Sequence, residues 1–153
     1  MNYVLRMRVG HHRRLAALLR AAMPAESVAF LLCRRAPSAD GVLFLVDEVI
    51  EVEPSAYAAQ AHDIASVAPL AMARVAQQAR AGNRVIAMAH IHPMTAGGVE
   101  FSQADHLGNR RSFGFFHRRG GHPPPATAGG GDVGVGCLFG ARPRAGLSGG
   151  GRG

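Results

Sequence analysis

Two histidines stand one residue apart in His90-Ile91-His92-Pro93, and Ser102-Gln103-Ala104-Asp105 follows after a short loop. Residues 85–92 (VIAMAHIH) are apolar and alternating at their start and read as a strand. In a strand, side chains at i and i+2 point to the same face, so His90 and His92 can offer two imidazole nitrogens to one ion. Residues 102–111 read as a helix with Ser102 as its N-cap. Asp105 then falls in the first turn, from which its carboxylate can close back over the strand end as a third ligand. Two neutral imidazoles and a carboxylate suit Zn²⁺, one per chain, at about 2.0–2.2 Å, with the fourth tetrahedral position left for water. Zinc lowers the pKa of such a water to roughly 7, so the chemistry indicated is hydrolysis. A base for that water and a donor for the developing oxyanion are still required. Taken singly, each piece has a plainer use: a solvated His pair, a helix cap, an acid that offsets the helix dipole. The cap geometry serves both uses, because it also aims Ser102 and Asp105 at the strand end.

The elements that must position these groups follow from periodicity. Residues 10–23 carry Leu15, Leu18, Leu19 and Ala22 at helical spacing, with Arg13, Arg14 and Arg20 turned to water, and Pro24 closes the run. Residues 27–33 (SVAFLLC) read as a buried strand, and residues 42–52 as a second strand interrupted by Asp47 and Glu48. The polar turn Ala39-Asp40-Gly41 between them predicts a hairpin. Residues 54–64 give no clear signal. Residues 69–81 read as a helix, with Pro69 in its first turn and Gly82-Asn83 as its stop. The class is α/β.

Composition sets the outer limits. A chain of 153 residues with 48% hydrophobic and 18% charged residues supports one compact domain. No apolar run approaches the roughly 18 residues of a membrane span, and the N-terminus has no secretory pattern. Cys33 and Cys137 form neither a CxxC nor a disulfide framework, which favours a reducing, cytoplasmic setting. The net charge of +7 comes entirely from arginine, since the chain has no lysine. Up to Phe116 there are 12 Arg against 9 acids, and after it 5 Arg against one, so more than half of the excess lies in the last 37 residues. The arginines come as isolated doublets rather than as a stripe interleaved with aromatics, which argues against a nucleic-acid role. Those last 37 residues also hold 13 of the 20 glycines and four of the nine prolines. Such a segment loses too much conformational entropy to form regular structure. The division expected is a folded domain over 1–116 and an irregular Gly/Pro/Arg-rich tail over 117–153, either disordered or a frame-shifted replacement. Its one apolar patch, 133–139, is the place for a short added strand.

His90-x-His92-Pro93 followed by Ser102-x-x-Asp105 resembles the JAMM motif of the JAB/MPN metalloprotease family. That motif also has an upstream glutamate, after a helix and just before the first apolar strand. Glu26, in Pro24-Ala25-Glu26-Ser27-Val28-Ala29-Phe30, stands in the matching place. The resemblance spans about residues 15–116 and implies a single MPN/JAB-like domain, a curved mixed sheet flanked by helices with the site at a strand end. It implies that His90, His92 and Asp105 bind zinc, that Glu26 is the general base that later protonates the leaving amine, and that Ser102 stabilises the oxyanion. Glu48, Glu51 and Glu100 are the rival carboxylates. Two departures stand out. The loop 93–101 has nine residues where the family usually has seven, a cheap surface insertion. The family also continues into further strands where this chain turns to glycine and proline, which would leave an edge of the sheet uncovered.

The resemblance further implies a prokaryotic-type peptidase or isopeptidase acting at the C-terminus of a ubiquitin-like or sulfur-carrier protein, beside an E1-like activating protein. The alternative is a catalytically silent MPN-type scaffold that binds a partner protein. An arginine-rich nucleic-acid binder ranks third.

Overall fold

The computed structural model describes residues 2–39, 41–93 and 134–136. The elements in chain order are β1 (Asn2–Arg6), α1 (Val9–Ala21), β2 (Val28–Ser38), β3 (Gly41–Glu51), β4 (Tyr57–Ala61), β5 (Ile64–Val67), α2 (Pro69–Ala81), β6 (Val85–His90) and β7 (Gly134–Gly136). Five strands form one mixed sheet in the order β1-β3-β2-β6-β7, with β1 parallel to β3 and the other pairs antiparallel; β4 and β5 form a separate two-stranded sheet. The expected helix over 102–111 and most of the segment 117–153 lie outside the described residues.

β2 is the axis of the sheet. Its first six residues, Val28 to Cys33, are all buried, because helices cover both faces. The period of two divides them between two cores. Ala29, Leu31 and Cys33 pack with Leu15 and Leu19 of α1, Phe44, Val46 and Val49 of β3, and Ala87 and Ala89 of β6. Val28, Phe30 and Leu32 pack on the other side with Val75, Ala76 and Ala79 of α2 and with Ile86. A continuous apolar run is therefore the pattern of a strand buried twice.

Both helices depend on that packing. Neither has a side-chain N-cap or an acid in its first turn, so burial of an apolar stripe must supply most of their stability. Pro69 occupies the first turn of α2, where its missing N–H costs nothing. Beyond the C-terminus, Asn83 takes the left-handed conformation (φ 50°), a role asparagine fills at little steric cost. His11 is half-buried in the first turn of α1, while His12 is exposed.

Asp47 and Glu48 do not end β3; they mark a bulge. Leu32 pairs with Glu48 and Cys33 with Val46, which leaves Asp47 as the extra residue. The bulge shifts the alternation by one, so Val46 and Val49, three apart, reach the same core. Asp47 itself takes both terminal contacts of Arg34, Oδ2 from Nε and Oδ1 from Nη2, each at 2.7 Å. This fork holds its carboxyl below the ordinary aspartate range, the Arg34 hydrogen bonds being the leading cause. β2 runs on through Arg34, Arg35 and Pro37 to Ser38, longer than the apolar run suggests, because the hairpin with β3 carries the pairing out to Ser38 opposite Gly41.

Phe30 is 1% exposed at the centre of the α2-side core. Phe30→Ala is expected to lower the unfolding free energy by about 3–5 kcal/mol, the usual cost of deleting a buried ring, measured by urea denaturation. A paired carboxylate with a lowered pKa stabilises above the ordinary aspartate range and loses that contribution as pH falls through its own lower value. Wild-type stability should therefore drop below about pH 4 more steeply than that of Arg34→Gln, compared by thermal melts across an acid series.

Candidate functional site

The antiparallel register of β2 and β6 assembles the site. Val28 pairs with His90, Ala29 with Ala89 and Phe30 with Met88. The start of one strand thus lies beside the end of the other. β6 ends at His90, two residues before the end expected from the sequence, but Ile91 N–H still donates to Ser27 O at 3.2 Å. That bond extends the pairing by one step and carries His92 to the level of Glu26.

Three of the five expected site residues meet there. The His90 and His92 rings pack edge-to-face, centroids 4.6 Å apart and planes at 69°, with their Nε2 atoms 2.7 Å from each other. On its other nitrogen, Nδ1, His92 lies 3.1 Å from Oε1 of Glu26. All three are well shielded: Glu26 and His90 are buried, and the His92 side chain is 13% exposed. Ser102 and Asp105 lie outside the described residues, as does the rival Glu100. The other rivals are placed elsewhere. Glu48 receives Arg84 Nη1 at 2.8 Å and Gln78 Nε2 at 3.0 Å, and Glu51 is exposed at the end of β3. His62 and Asp63 sit exposed in the β4–β5 turn, 3.8 Å apart.

The proton arrangement follows from what each group can do. A carboxylate only accepts, so the His92 Nδ1 that faces Glu26 carries a hydrogen. In neutral His92 the Nε2 lone pair then points at His90, and the 2.7 Å contact requires His90 Nε2–H to donate. Glu26 thus fixes both the tautomer and the ring orientation of His92. This is the arrangement carboxylates commonly impose on metal-binding histidines.

The donor set suits a metal ion in part. Two imidazole Nε2 atoms lie 2.7 Å apart among well-shielded groups, and one of the rings is backed by a carboxylate, a donor set that zinc accepts. Two ligands at tetrahedral zinc lie roughly 3.3 Å apart, so an ion here would require the rings to part from 2.7 Å and His90 to carry its proton on Nδ1 instead of Nε2. Among the described residues no group of three His, Cys, Asp or Glu side chains is arranged to hold a metal by itself. Asp105, the third ligand expected from the sequence, lies outside the described residues.

The backbone beneath Glu26 is fixed with similar care. Ser27, 4% exposed, donates from Oγ to Leu19 O at 2.8 Å and so ties the carbonyl end of α1 to the site. Glu26 N–H donates to Ala61 O at 2.7 Å, and Gln60 Nε2 donates to Glu26 O at 2.9 Å. The Tyr57 hydroxyl accepts from Val28 N–H at 2.9 Å and lies 3.2 Å from Val28 O, to which it can donate. Burial pushes the pKa of that phenol up. Ser27, Tyr57 and Gln60 did not stand out in the sequence. A serine within an apolar run is a weak signal of a buried hydroxyl that must find an acceptor; the other two gave none.

β7 lies against β6 on the opposite side from β2, with Gly134 opposite His90 and Gly136 opposite Met88. It falls in the apolar patch 133–139, so three residues of the glycine-rich segment add a strand to the sheet beside the site. Among the described residues no helix is long and apolar enough to cross a membrane. In comparison with known families, the one described as prokaryotic homologs of the JAB domain matches over residues 8–128. No curated protein matches the chain.

In metal-free protein at neutral pH, ¹⁵N-imidazole NMR is expected to show His92 protonated at Nδ1 and His90 at Nε2. The reverse tautomer at His92 would break the assignment of Glu26 as acceptor.

Proposed function

The chain belongs to the prokaryotic JAB-domain homologs, and from that premise we propose that it is a zinc-dependent peptidase or isopeptidase. The observation that carries this reading is the convergence of two Nε2 atoms at 2.7 Å, with Glu26 on the far nitrogen of one ring. The proposed substrate is the C-terminal segment of a ubiquitin-like or sulfur-carrier protein, cut at an amide bond, with an E1-like activating protein as the associated partner.

In this reading His90, His92 and Asp105 would hold the metal. The bound ion would supply Lewis acidity and lower the pKa of water at the site. Glu26 has two roles within one group. Its Oε1 accepts from His92 Nδ1–H, which leaves Nε2 as that ring's lone-pair nitrogen, the one that would bind the ion. A carboxylate has about four acceptor positions, so the same group can take a proton from water and return it to the leaving amine, as amide hydrolysis requires. Ser102 would donate to the oxyanion as it forms. Burial strengthens these interactions, because few waters compete for the charges.

A non-hydrolytic MPN-type scaffold is the alternative. In a scaffold the acid and the two histidines would be buried for structure alone, their mutual pairing offsetting the cost of burial.

Purified protein should carry about one zinc per chain, and His92→Ala should lose it, measured by elemental analysis. Glu26→Gln should still load at saturating zinc yet cleave a C-terminally extended ubiquitin-like protein at least 100-fold more slowly. Full activity in Glu26→Gln would remove the proton-transfer role. A zinc-free wild type would favour the scaffold.

A further inference from the structure

Glu26 lies outside any strand, and α1 has already ended at Ala21. Its position is nonetheless set through backbone bonds, and those at residues 26 and 28 described above come from β4: Ala61 O, Gln60 Nε2 and the Tyr57 hydroxyl. β4 belongs to the small sheet rather than the main one. A lone two-stranded hairpin is marginal in water, and this one is held by Tyr57, Ala65 and Val67 packing on the α2-side core. Ala58, Ala59 and Gln60 of β4 are exposed, so burial does not account for Gln60. In the sequence Tyr-Ala-Ala-Gln-Ala it is the one side chain of the strand with an amide donor, and that donor goes to the Glu26 carbonyl.

We propose that the β4–β5 hairpin is the positioning element for Glu26, with Tyr57 and Gln60 as positioning residues. The inference rests on the reading of Glu26 as the partner of His92. The carboxylate contact is 3.1 Å, and a hydrogen bond is effectively lost beyond about 3.5 Å. Glutamate has a long, flexible side chain, so a backbone left free at residue 26, the one just before the pairing with β6, could not hold that contact within so small a tolerance. Tyr57 fixes the strand start at Val28, Gln60 fixes the Glu26 carbonyl, and Ala61 fixes the Glu26 N–H. The hairpin acts on the imidazole only through Glu26.

The test uses metal-free, full-length protein, so that it does not depend on zinc or on hydrolysis. The readout is the exchange rate of the His92 Nδ1 proton with water at pH 7.5, followed by ¹⁵N-imidazole NMR. Gln60→Glu keeps the shape and removes the donor, Tyr57→Phe removes the hydroxyl, and Gln60→Lys restores an N–H donor. Val42→Ala, in the other core at the opposite end of β3, serves as a control for general destabilisation. Gln60→Glu and Tyr57→Phe should exchange at least tenfold faster than wild type, Gln60→Lys within threefold of it, and Val42→Ala unchanged. Wild-type exchange in Gln60→Glu or Tyr57→Phe would overturn that residue's role. Equal acceleration in Val42→Ala would overturn the whole assignment, leaving only loss of stability. Failure to bind zinc would refute the proposed function and leave this result standing.

Discussion

The antiparallel pairing of β2 with β6 is the constraint on which the site depends. Once Val28 lies opposite His90, the residues just before one strand and just after the other must be neighbours. Glu26 and His92 are 66 positions apart in the chain, and only this register brings them together. A slip of one residue would turn every side chain of β6 to the other face. It would also exchange the two cores, placing Ile86 against α1 and Ala87 against α2. The site is therefore protected by hydrophobic burial: the energy that fixes the register is the same energy that fixes the distance between an acid and an imidazole.

Burial also explains why the polar groups at the strand ends are so fully engaged. An ionised carboxylate in an apolar setting is costly unless hydrogen bonds surround it. Glu26 meets an imidazole N–H, and its backbone N–H and carbonyl both have partners in β4. Ser27, between two faces of core, sends its hydroxyl to a helix-end carbonyl that lacks an intrahelical partner. Glu26 and Ser27 thus satisfy their neighbours as well as themselves, and the price of this is that removing one orphans its partner. The result is a rigid shelf under the histidines, built from α1, β4 and the end of β6.

Much of this was legible in the sequence, for physical reasons that differ from element to element. The helix over 69–81 coincides with α2 because Pro69 and Asn83 punctuate it and Val75, Ala76 and Ala79 share a face. The strand of β2 was visible because Ser-Val-Ala-Phe-Leu-Leu-Cys admits no solvent face. The pairing of His90 with His92 followed from a period of two, although the strand stops before His92. The segment 54–64 was opaque because alanine, four of its eleven residues, carries little preference for a strand; β4 forms there through tertiary bonds to Glu26 and Val28. The bulge at Asp47 was hidden as well, since an acid within a strand looks the same whether it ends the strand or supplies its extra residue. Ser102 and Asp105 remain expectations drawn from the sequence.

The contact at His92 Nδ1 could not have been read from spacing, because a two-residue period predicts direction and not which ring nitrogen faces which neighbour. It changes how the acid is to be understood. A base placed only to receive a proton needs to lie near water. A carboxylate that holds an imidazole in one tautomer needs a fixed backbone, and the fixed backbone is what the structure supplies. The two demands are compatible in one residue only when its main chain is clamped and its second oxygen can serve another partner. The hairpin beside Glu26, too small to be stable alone and yet bonded to residues 26 and 28, meets the first demand. The hairpin thus joins the α2-side core, on which Tyr57, Ala65 and Val67 pack, to the backbone of the site.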